Sequence, residues 1–370
     1  MSEKIEQRIA DIEAELAKMQ YNKTTQGHFA VLKARMAQLQ NELVERAIKS
    51  NRKGSGFFVK KHGDATVILL GFPSVGKSTL LSAITNKESK VAAYEFTTLD
   101  AVPGMMEYNG KYKGTKIQII DLPGIIEGGA TGSGRGREIF SAVRNADLIA
   151  IMLDATKIDH IDVIKKELYN ANIRLDQHPP RIRIKERNRG GLLISGHQSV
   201  TPNEVITSVL REYKIISADV YLREPNLSVD HIIDHVTGNR KYVPSLIILN
   251  KVDLIDRSEL PAIREKIGDF VTISADRRIG LEELKEAIVD KIGIMRVFLK
   301  KPGQKADFEE PMIIKKDSTV EDLCYKIHRR FKDDFRYANV WGSSVKFPGQ
   351  KVGLAHVLLD SDVIKITLEK

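Results

Sequence analysis

Cysteine is almost absent from this 370-residue sequence, in which Cys324 stands alone. No intramolecular disulfide can form, and a reducing compartment, the cytoplasm, is therefore expected. No apolar run reaches the ~18 residues of a membrane-spanning helix. The opening MSEKIEQRIADIE also lacks the apolar core of a signal peptide. The nine histidines show no metal-ligand spacing. These absences argue against a disulfide scaffold, a membrane-spanning chain and a histidine-bound metal centre.

The charge is unbalanced, with 58 Lys and Arg against 49 Asp and Glu, a formal net charge of +9. Two stretches are locally basic. Residues 49–61 contain no acid, and residues 181–189, called here the basic strip, combine one glutamate with Arg181, Arg183, Lys185, Arg187 and Arg189. This balance favours an anionic partner such as RNA or a ribonucleoprotein. An ordinary solvated face is the alternative interpretation of each stretch.

The first 50 residues have helical periodicity. Apolar residues recur every three or four positions over 3–20 and again over 28–48, with Gly27 in the break. Each stretch predicts one apolar stripe on a helix, and together they predict a helical hairpin over 1–50. Residues 51–64, which include the run NRKGSG, are predicted to form a basic linker.

A different pattern follows from Thr66 onward. Short aliphatic runs at Val67–Leu70, Ile117–Ile120, Leu148–Leu153 and Leu246–Leu249 alternate with helical patterns. Such runs are typical of strands buried on both faces of a parallel sheet, so a doubly wound α/β domain is predicted over 65–294. The interval from Gly124 to Asn250 is too long for that fold and predicts an inserted α+β domain over 165–240. Residues 295–370 predict a β-grasp-like domain, in which Ser318 to Glu321 suggest a capping box before a helix.

The segment Gly71-Phe-Pro-Ser-Val-Gly-Lys-Ser78 fits the pattern G-x-x-x-x-G-K-S between a predicted strand and a predicted helix. Glycines let backbone N–H groups turn toward phosphate oxygens, and the helix N-terminus adds positive potential. Lys77 is predicted to reach the β- and γ-phosphates, and Ser78 to hold Mg²⁺. The predicted contacts here are Gly71, Pro73, Ser74, Val75, Gly76, Lys77, Ser78 and Thr79.

Three later segments extend this prediction. Asp121 ends a buried strand in the run Asp-Leu-Pro-Gly124, which predicts a carboxylate for Mg²⁺ and a backbone N–H for the γ-phosphate. The run Asn250-Lys-Val-Asp253 predicts guanine recognition, because the Asp253 carboxylate can accept both the N1–H and the exocyclic amine. Asn250 is predicted to support the neighbouring loop and the Lys251 stem to cover the base. The backbone at Ser274 and Ala275 is predicted to face the guanine carbonyl.

One predicted metal contact lies between the P-loop and Asp121, in Phe96-Thr97-Thr98-Leu99. Thr98 is favoured over Thr97 to close over Mg²⁺ and sense the γ-phosphate, and an ordinary loop is the alternative. The predicted metal ligands are thus Ser78, Thr98 and Asp121, and the predicted catalytic residues are Lys77, Thr98 and Gly124.

These motifs resemble the P-loop GTPases, and within them the Obg-related developmentally regulated GTP-binding protein (Drg) family. The narrower resemblance rests on GFPSVGKSTLL, YEFTTLDAVPG, DLPGIIEGGATGSGRGRE and the insertion before NKVD. It implies a ribosomal-S5-like insertion, a C-terminal TGS domain, Mg²⁺-dependent GTP hydrolysis and a role near the ribosome. Eukaryotic members of the family work with a regulatory partner protein, and such a partner is left open for this chain.

At one position the sequence lacks a residue that affects the rate of GTP hydrolysis. Ras-type GTPases carry a water-orienting glutamine directly after the D-x-x-G glycine, where this chain has Ile125. Slow intrinsic turnover is therefore expected. Related enzymes use a P-loop asparagine to hold K⁺, and Ser74 stands there, so K⁺ stimulation is left open. The main hypothesis is a GTPase switch acting on ribosomes, translation or RNA. The alternatives are an RNA or ribosome adaptor with a structural nucleotide, and an ATPase, which Asp253 disfavours.

Overall fold

The computed structural model describes residues 2–20, 22–50, 62–85, 102–122, 143–300, 303–304, 306–309, 311–328 and 330–369. Two compact units emerge, each assembled from separate stretches of the chain. The helices are α1 Ser2–Lys18, α2 Gln26–Ser50, α3 Lys77–Ile84, α4 His160–Asn170, α5 Asn203–Glu212, α6 Val229–Thr237, α7 Leu260–Ile267, α8 Leu281–Ile292, α9 Val320–Ile327 and α10 Arg330–Asp333.

The strands through the first half are β1 Ala65–Leu70, β2 Val102–Tyr108, β3 Thr115–Asp121, β4 Leu148–Asp154, β5 Ile173–Leu175, β6 Ile182–Glu186, β7 Leu192–Ser195 and β8 Ala218–Leu222. Those that follow are β9 Lys241–Val243, β10 Ser245–Asn250, β11 Val271–Thr272, β12 Ile294–Leu299, β13 Met312–Lys315, β14 Phe335–Trp341, β15 Gln350–Val352 and β16 Val363–Leu368.

A six-stranded sheet in the order β11-β10-β4-β1-β3-β2 forms the centre of one unit. Its strands are parallel except for β2, which pairs antiparallel with β3 at one edge. Every residue of β1 and β4 is buried, as the continuous aliphatic runs predict. Parallel strands direct their carboxyl ends to one edge of the sheet, which brings the four predicted motifs together.

The same unit contains a second sheet of five strands in the order β13-β12-β16-β14-β15, with α9 packed on one face. Cys324 is buried in this core, and burial raises the pKa of its thiol to about 11. The capping box predicted from Ser318 and Glu321 is wrong by one residue. Thr319 caps α9, and its reciprocal partner is Asp322. This shift places Val320 and Leu323 in the core.

The other unit contains the N-terminal helices and the long interval before β10. Helices α1 and α2 form the predicted hairpin, although α2 begins at Gln26 and includes Gly27, which was predicted to lie in the break. Ile5 and Ile9 pack against Leu43 on one side of α2. On another side, Ala30, Ala34 and Ala37 share a core with α5 and α6, because small side chains let the helices approach closely.

A buried ionic cluster joins several elements of this unit. Asp234 on α6 accepts two hydrogen bonds from Arg174, at 2.7 and 2.8 Å, and one from Arg240 at 2.7 Å. All three side chains are at most 3% exposed. Arg240 Nη1 donates to side-chain oxygens of Asn41 on α2 and Asn172. This cluster is saturated with partners and anchors α2 to β5, β9 and α6.

Among the described residues, no helix combines the length and apolar character needed to cross a membrane. The predicted basic linker over 51–64 lies largely outside the described residues, which resume at His62.

Candidate nucleotide-binding site

The loop between β1 and α3 has the backbone shape of a phosphate cradle. Ser74 and Gly76 have positive φ angles of 65° and 100°. A Cβ at Gly76 would lie 2.5 Å from Asn250 Nδ2, and one at Gly71 would lie 2.6 Å from the Met152 carbonyl oxygen. Glycine is therefore required at both positions. Gly76 precedes α3 without any side-chain cap, so the first N–H groups of the helix keep their capacity to bind phosphate.

Lys77 is buried at the start of α3. Its Nζ donates to the carbonyl oxygens of Gly71 at 3.1 Å and Phe72 at 3.2 Å. Burial lowers the pKa of the lysine, and the nearby Asp121 partly offsets this shift. Among the described residues, the hydrogen bonds of this buried ammonium go to carbonyl oxygens alone. A bound phosphate would therefore stabilise its charged form.

Asp121, at the end of β3, lies beside Ser78. The Ser78 hydroxyl donates to Asp121 Oδ2 at 3.0 Å. The other carboxylate oxygen, Oδ1, is buried and has no hydrogen-bond partner among the described residues. Burial raises the pKa of Asp121, and the Ser78 hydrogen bond and Lys77 partly offset this. A hydroxyl beside an unpartnered carboxylate oxygen fits Mg²⁺, which binds hard oxygen ligands.

Asn250 links the end of β10 to two loops. Its Nδ2 donates to the Val75 carbonyl oxygen at 2.8 Å, and its Oδ1 accepts from the Ala275 N–H at 3.0 Å. These bonds match the supporting role predicted for Asn250. They also engage the Ala275 N–H, so its predicted contact with the guanine carbonyl stays a prediction.

Asp154 is a site residue that the sequence reasoning missed. It ends β4 directly beside Asn250 in the register. Its Oδ2 lies 2.6 Å from Lys251 Nζ, which also donates to the Ser74 carbonyl oxygen at 3.0 Å. Burial raises the pKa of Asp154, but hydrogen bonds from Lys251 and Thr156 outweigh it and bring the pKa below its ordinary value. The signal was present in the sequence, since Asp154 ends a buried strand as Asp121 does.

Asp253 lies in a short 3₁₀ turn, Val252–Leu254. The Ser274 hydroxyl holds the pKa of Asp253 below its ordinary value, with a further contribution from Arg277, while burial opposes both. Arg277 Nε lies 3.1 Å from Asp253 Oδ2. The lowered pKa favours the ionised form of the carboxylate. Arg277 is a second site residue that the sequence reasoning missed.

The structure thus brings most of the predicted residues to one edge of the sheet. Pro73, Ser74 and Thr79 are exposed beside the loop, while Val75 is buried beneath it. Four predicted residues lie outside the described residues: Phe96, Thr97, Thr98 and Gly124.

Comparison with protein families gives three consecutive matches. Residues 66–185 match a family described as 50S ribosome-binding GTPase. Residues 189–294 match the C-terminal region of the MMR_HSR1 domain, and residues 295–368 match the TGS domain. Together with the cradle, these matches define a P-loop GTP-binding protein with a C-terminal TGS domain. They confirm the predicted fold class.

Full-length relatives narrow the class. An uncharacterized GTP-binding protein of Methanocaldococcus jannaschii is 47% identical, over 99% of this chain and 93% of that protein. Developmentally-regulated GTP-binding protein 2 of Bos taurus is 43% identical, and developmentally-regulated GTP-binding protein 1 of Xenopus laevis 46%. Each of these two alignments covers 97% of this chain and 98% of the relative. The chain belongs to the developmentally regulated GTP-binding protein family, which confirms the predicted resemblance.

Proposed function

We propose that this protein hydrolyses GTP to GDP and phosphate in a Mg²⁺-dependent reaction and acts as a slow molecular switch. The observation that carries this proposal is the pairing of Ser78 with Asp121 beside Lys77, where Asp121 Oδ1 has no hydrogen-bond partner among the described residues. An unsatisfied buried carboxylate oxygen costs free energy, and the Mg²⁺ of a bound Mg²⁺–GTP complex would supply its partner.

Each residue has a distinct role in this proposal. Ser78 and Asp121, with Thr98, would hold Mg²⁺, which neutralises phosphate charge. Water attacks the γ-phosphorus, the bond to the β–γ bridging oxygen breaks, and GDP takes the electron pair. The two protons of the water end on the released phosphate. Lys77 and the loop N–H groups stabilise the charge on the transferred phosphoryl group, and the Gly124 N–H is proposed to contact it as well.

Specificity for guanine is assigned to Asp253. Its ionised carboxylate accepts both donors on one edge of guanine, whereas adenine would leave it unpaired. Asp154 holds Lys251 against the loop at Ser74, so that the lysine stem covers the base. Turnover is slow in this proposal because Ile125 cannot orient water, and a partner protein or K⁺ would accelerate it.

We further propose that the protein acts on the ribosome, in translation, in the cytoplasm. The family description of residues 66–185 and the net charge of +9 support this role. The second candidate is a constitutive RNA or ribosome adaptor. The absence of a glutamine at Ile125 favours it.

Two measurements on the full chain test this proposal. Phosphate release is followed with GTP or ATP, with Mg²⁺ or EDTA. We expect phosphate release only from GTP and only when Mg²⁺ is present. Equal release from ATP would contradict the role of Asp253 in guanine recognition. Co-sedimentation with purified ribosomal subunits then compares a non-hydrolysable GTP analogue with GDP. Pelleting with the analogue alone supports a switch, equal pelleting supports the adaptor, and no pelleting removes the ribosome from the proposal.

A further inference from the structure

The basic strip has a defined place in the fold. Most of it forms β6, one of the two edge strands of a three-stranded sheet in the order β6-β8-β7. Alternate side chains point inward, where Ile182 and Val220 pack with α5 and α6. The other side chains form what we call the open face: Arg183, Lys185, Leu193, Ser195, Asp219 and Tyr221.

The open face has an aromatic ring at its centre. Tyr221 lies on the middle strand, directly opposite Arg183 on β6 and Ser195 on β7. It is 42% exposed, and Leu193 on the neighbouring strand is 54% exposed. Within the described part of the chain, neither a ring nor a cation packs on the face of Tyr221. A planar group can therefore stack on it.

The charge on this face is predominantly positive. Asp219 is its only acid, and Arg187 pairs with Asp219 at 3.3 Å. Arg183 and Lys185 have no ion-pair partner among the described residues, and both are exposed. Two cations without an ion-pair partner in the described part of the chain, Arg183 and Lys185, thus lie on the strand beside an exposed aromatic ring.

We propose that the open face binds single-stranded RNA, with a base stacked on Tyr221 and backbone phosphates bound by Arg183 and Lys185. Sheet faces that combine an aromatic ring with basic neighbours suit splayed single-stranded bases. An acidic protein would satisfy the two cations but would leave the Tyr221 ring without a stacking partner. Charge and ring together therefore favour RNA. The inference deepens the RNA-facing part of the proposed function, although its test is independent of GTP.

The experiment uses the full chain bound to GDP and a fluorescein-labelled 12-residue oligouridine RNA. Binding is measured by fluorescence anisotropy between 50 and 200 mM KCl. Tyr221→Ser should weaken binding about 10-fold, whereas Tyr221→Phe should stay within about 2-fold, because the ring provides the stacking. The double variant Arg183→Gln, Lys185→Gln should weaken binding and lower the salt slope by about 1.4, or ~0.7 per phosphate contact.

A matched control removes the same charge elsewhere. Lys165→Gln, Lys166→Gln changes two exposed lysines on α4, and its salt slope should stay near that of the unchanged protein. Circular dichroism and binding of a fluorescent GDP analogue show that each variant is folded and that the nucleotide site is intact.

The inference would be overturned by an absence of RNA binding to the unchanged protein, by equal binding of Tyr221→Ser, or by an equal loss in the control pair. Stronger competition by polyglutamate than by unlabelled RNA would also overturn it, in favour of an acidic protein partner. None of these results affects the phosphate-release assay, so failure of the RNA surface and failure of the GTPase proposal are distinguishable.

Discussion

Asp121 and Asp234 are both buried carboxylates, yet their surroundings differ in kind. Asp234 receives three charged hydrogen bonds from two arginines, and amide side chains satisfy a further Arg240 nitrogen. Asp121 receives one hydrogen bond from Ser78, and its second oxygen has no partner among the described residues. A saturated cluster is complete as structure, whereas an unsaturated one gains stability from a ligand.

The difference follows from what each region must do. Asp234 closes a junction where α2, β5, β9 and α6 meet, so every donor there needs an acceptor from the chain itself. Asp121 stands at the open end of a sheet, where the proposed nucleotide and Mg²⁺ supply the missing partners. The comparison therefore separates stability from ligand binding and can be tested by substitution in both regions.

The largest effect is expected from Asp234→Ala. Arg174 and Arg240 would lose their carboxylate while remaining buried, and the free energy of unfolding should fall by about 3–5 kcal/mol. Urea denaturation measures this loss. The control is Asp230→Ala on the same helix, where a partly exposed pair with Lys33 at 2.9 Å contributes less than about 1 kcal/mol. Equal losses in the free energy of unfolding would mean that the buried Asp234 cluster stabilises the fold no more than the partly exposed pair of Asp230 and Lys33.

Lys77→Ala should have the opposite outcome to Asp234→Ala, with a large loss of activity and little loss of stability. Phosphate release should fall by about 10²–10³-fold, the cost of removing one group that stabilises transition-state charge. Thermal stability should hardly change, because the ammonium donates only to carbonyl oxygens within the described part of the chain. Lys113→Ala, an exposed lysine between β2 and β3, is the matched control and should leave phosphate release unchanged. A large stability loss in Lys77→Ala would mean that this lysine is structural.

Asp121→Asn should reduce the dependence of GTP binding on Mg²⁺. The ratio of affinities with Mg²⁺ and with EDTA should fall by about 10-fold, since one charged oxygen ligand is lost. Titration calorimetry measures both affinities. Asp147→Asn is the contrasting buried carboxylate of this unit, because its oxygens already bind the Thr66 N–H at 2.9 Å and Lys315 at 2.6 Å. A change in the Mg²⁺ ratio for Asp147→Asn would contradict the assignment.

The smallest effect is expected from Asp154→Asn, which weakens the hold on Lys251. GDP affinity should fall about 5-fold, the scale of one partly exposed charged hydrogen bond. The pKa of Asp154 is lowered in the folded protein, so its contribution is present above the ordinary value of about 3.9 and is lost only below it. The 5-fold difference should therefore be constant from pH 5 to 8.

Thr156→Ala provides the control for that substitution. It removes a hydrogen bond to the other Asp154 oxygen but leaves Lys251 in place, and GDP affinity should change less than in Asp154→Asn. A larger loss of GDP affinity in Thr156→Ala than in Asp154→Asn would mean that Asp154 acts by fixing the turn at Thr156 and not by holding Lys251.

Several features could be predicted from the sequence because local chemistry determines them. The aliphatic runs of β1, β3, β4 and β10 indicate buried strands. The glycines of the cradle and the run from Asn250 to Asp253 are typical of nucleotide-binding loops. The helical stripes indicated α1 and α2 for the same reason. The N-cap of α9 could not be predicted to the residue, since Ser318 and Thr319 both suit that position. Packing of Val320 in the core selects Thr319.

The tertiary structure alone decided which charges meet. Arg174, Asp234 and Arg240 are separated by up to 66 residues, and no local pattern distinguishes them from surface charges. Strand register similarly placed Asp154 beside Asn250 and Tyr221 beside Arg183. Sequence periodicity determined which side of a strand each residue occupies. Its partner across the sheet depends on strand order, which arises from packing of the whole unit.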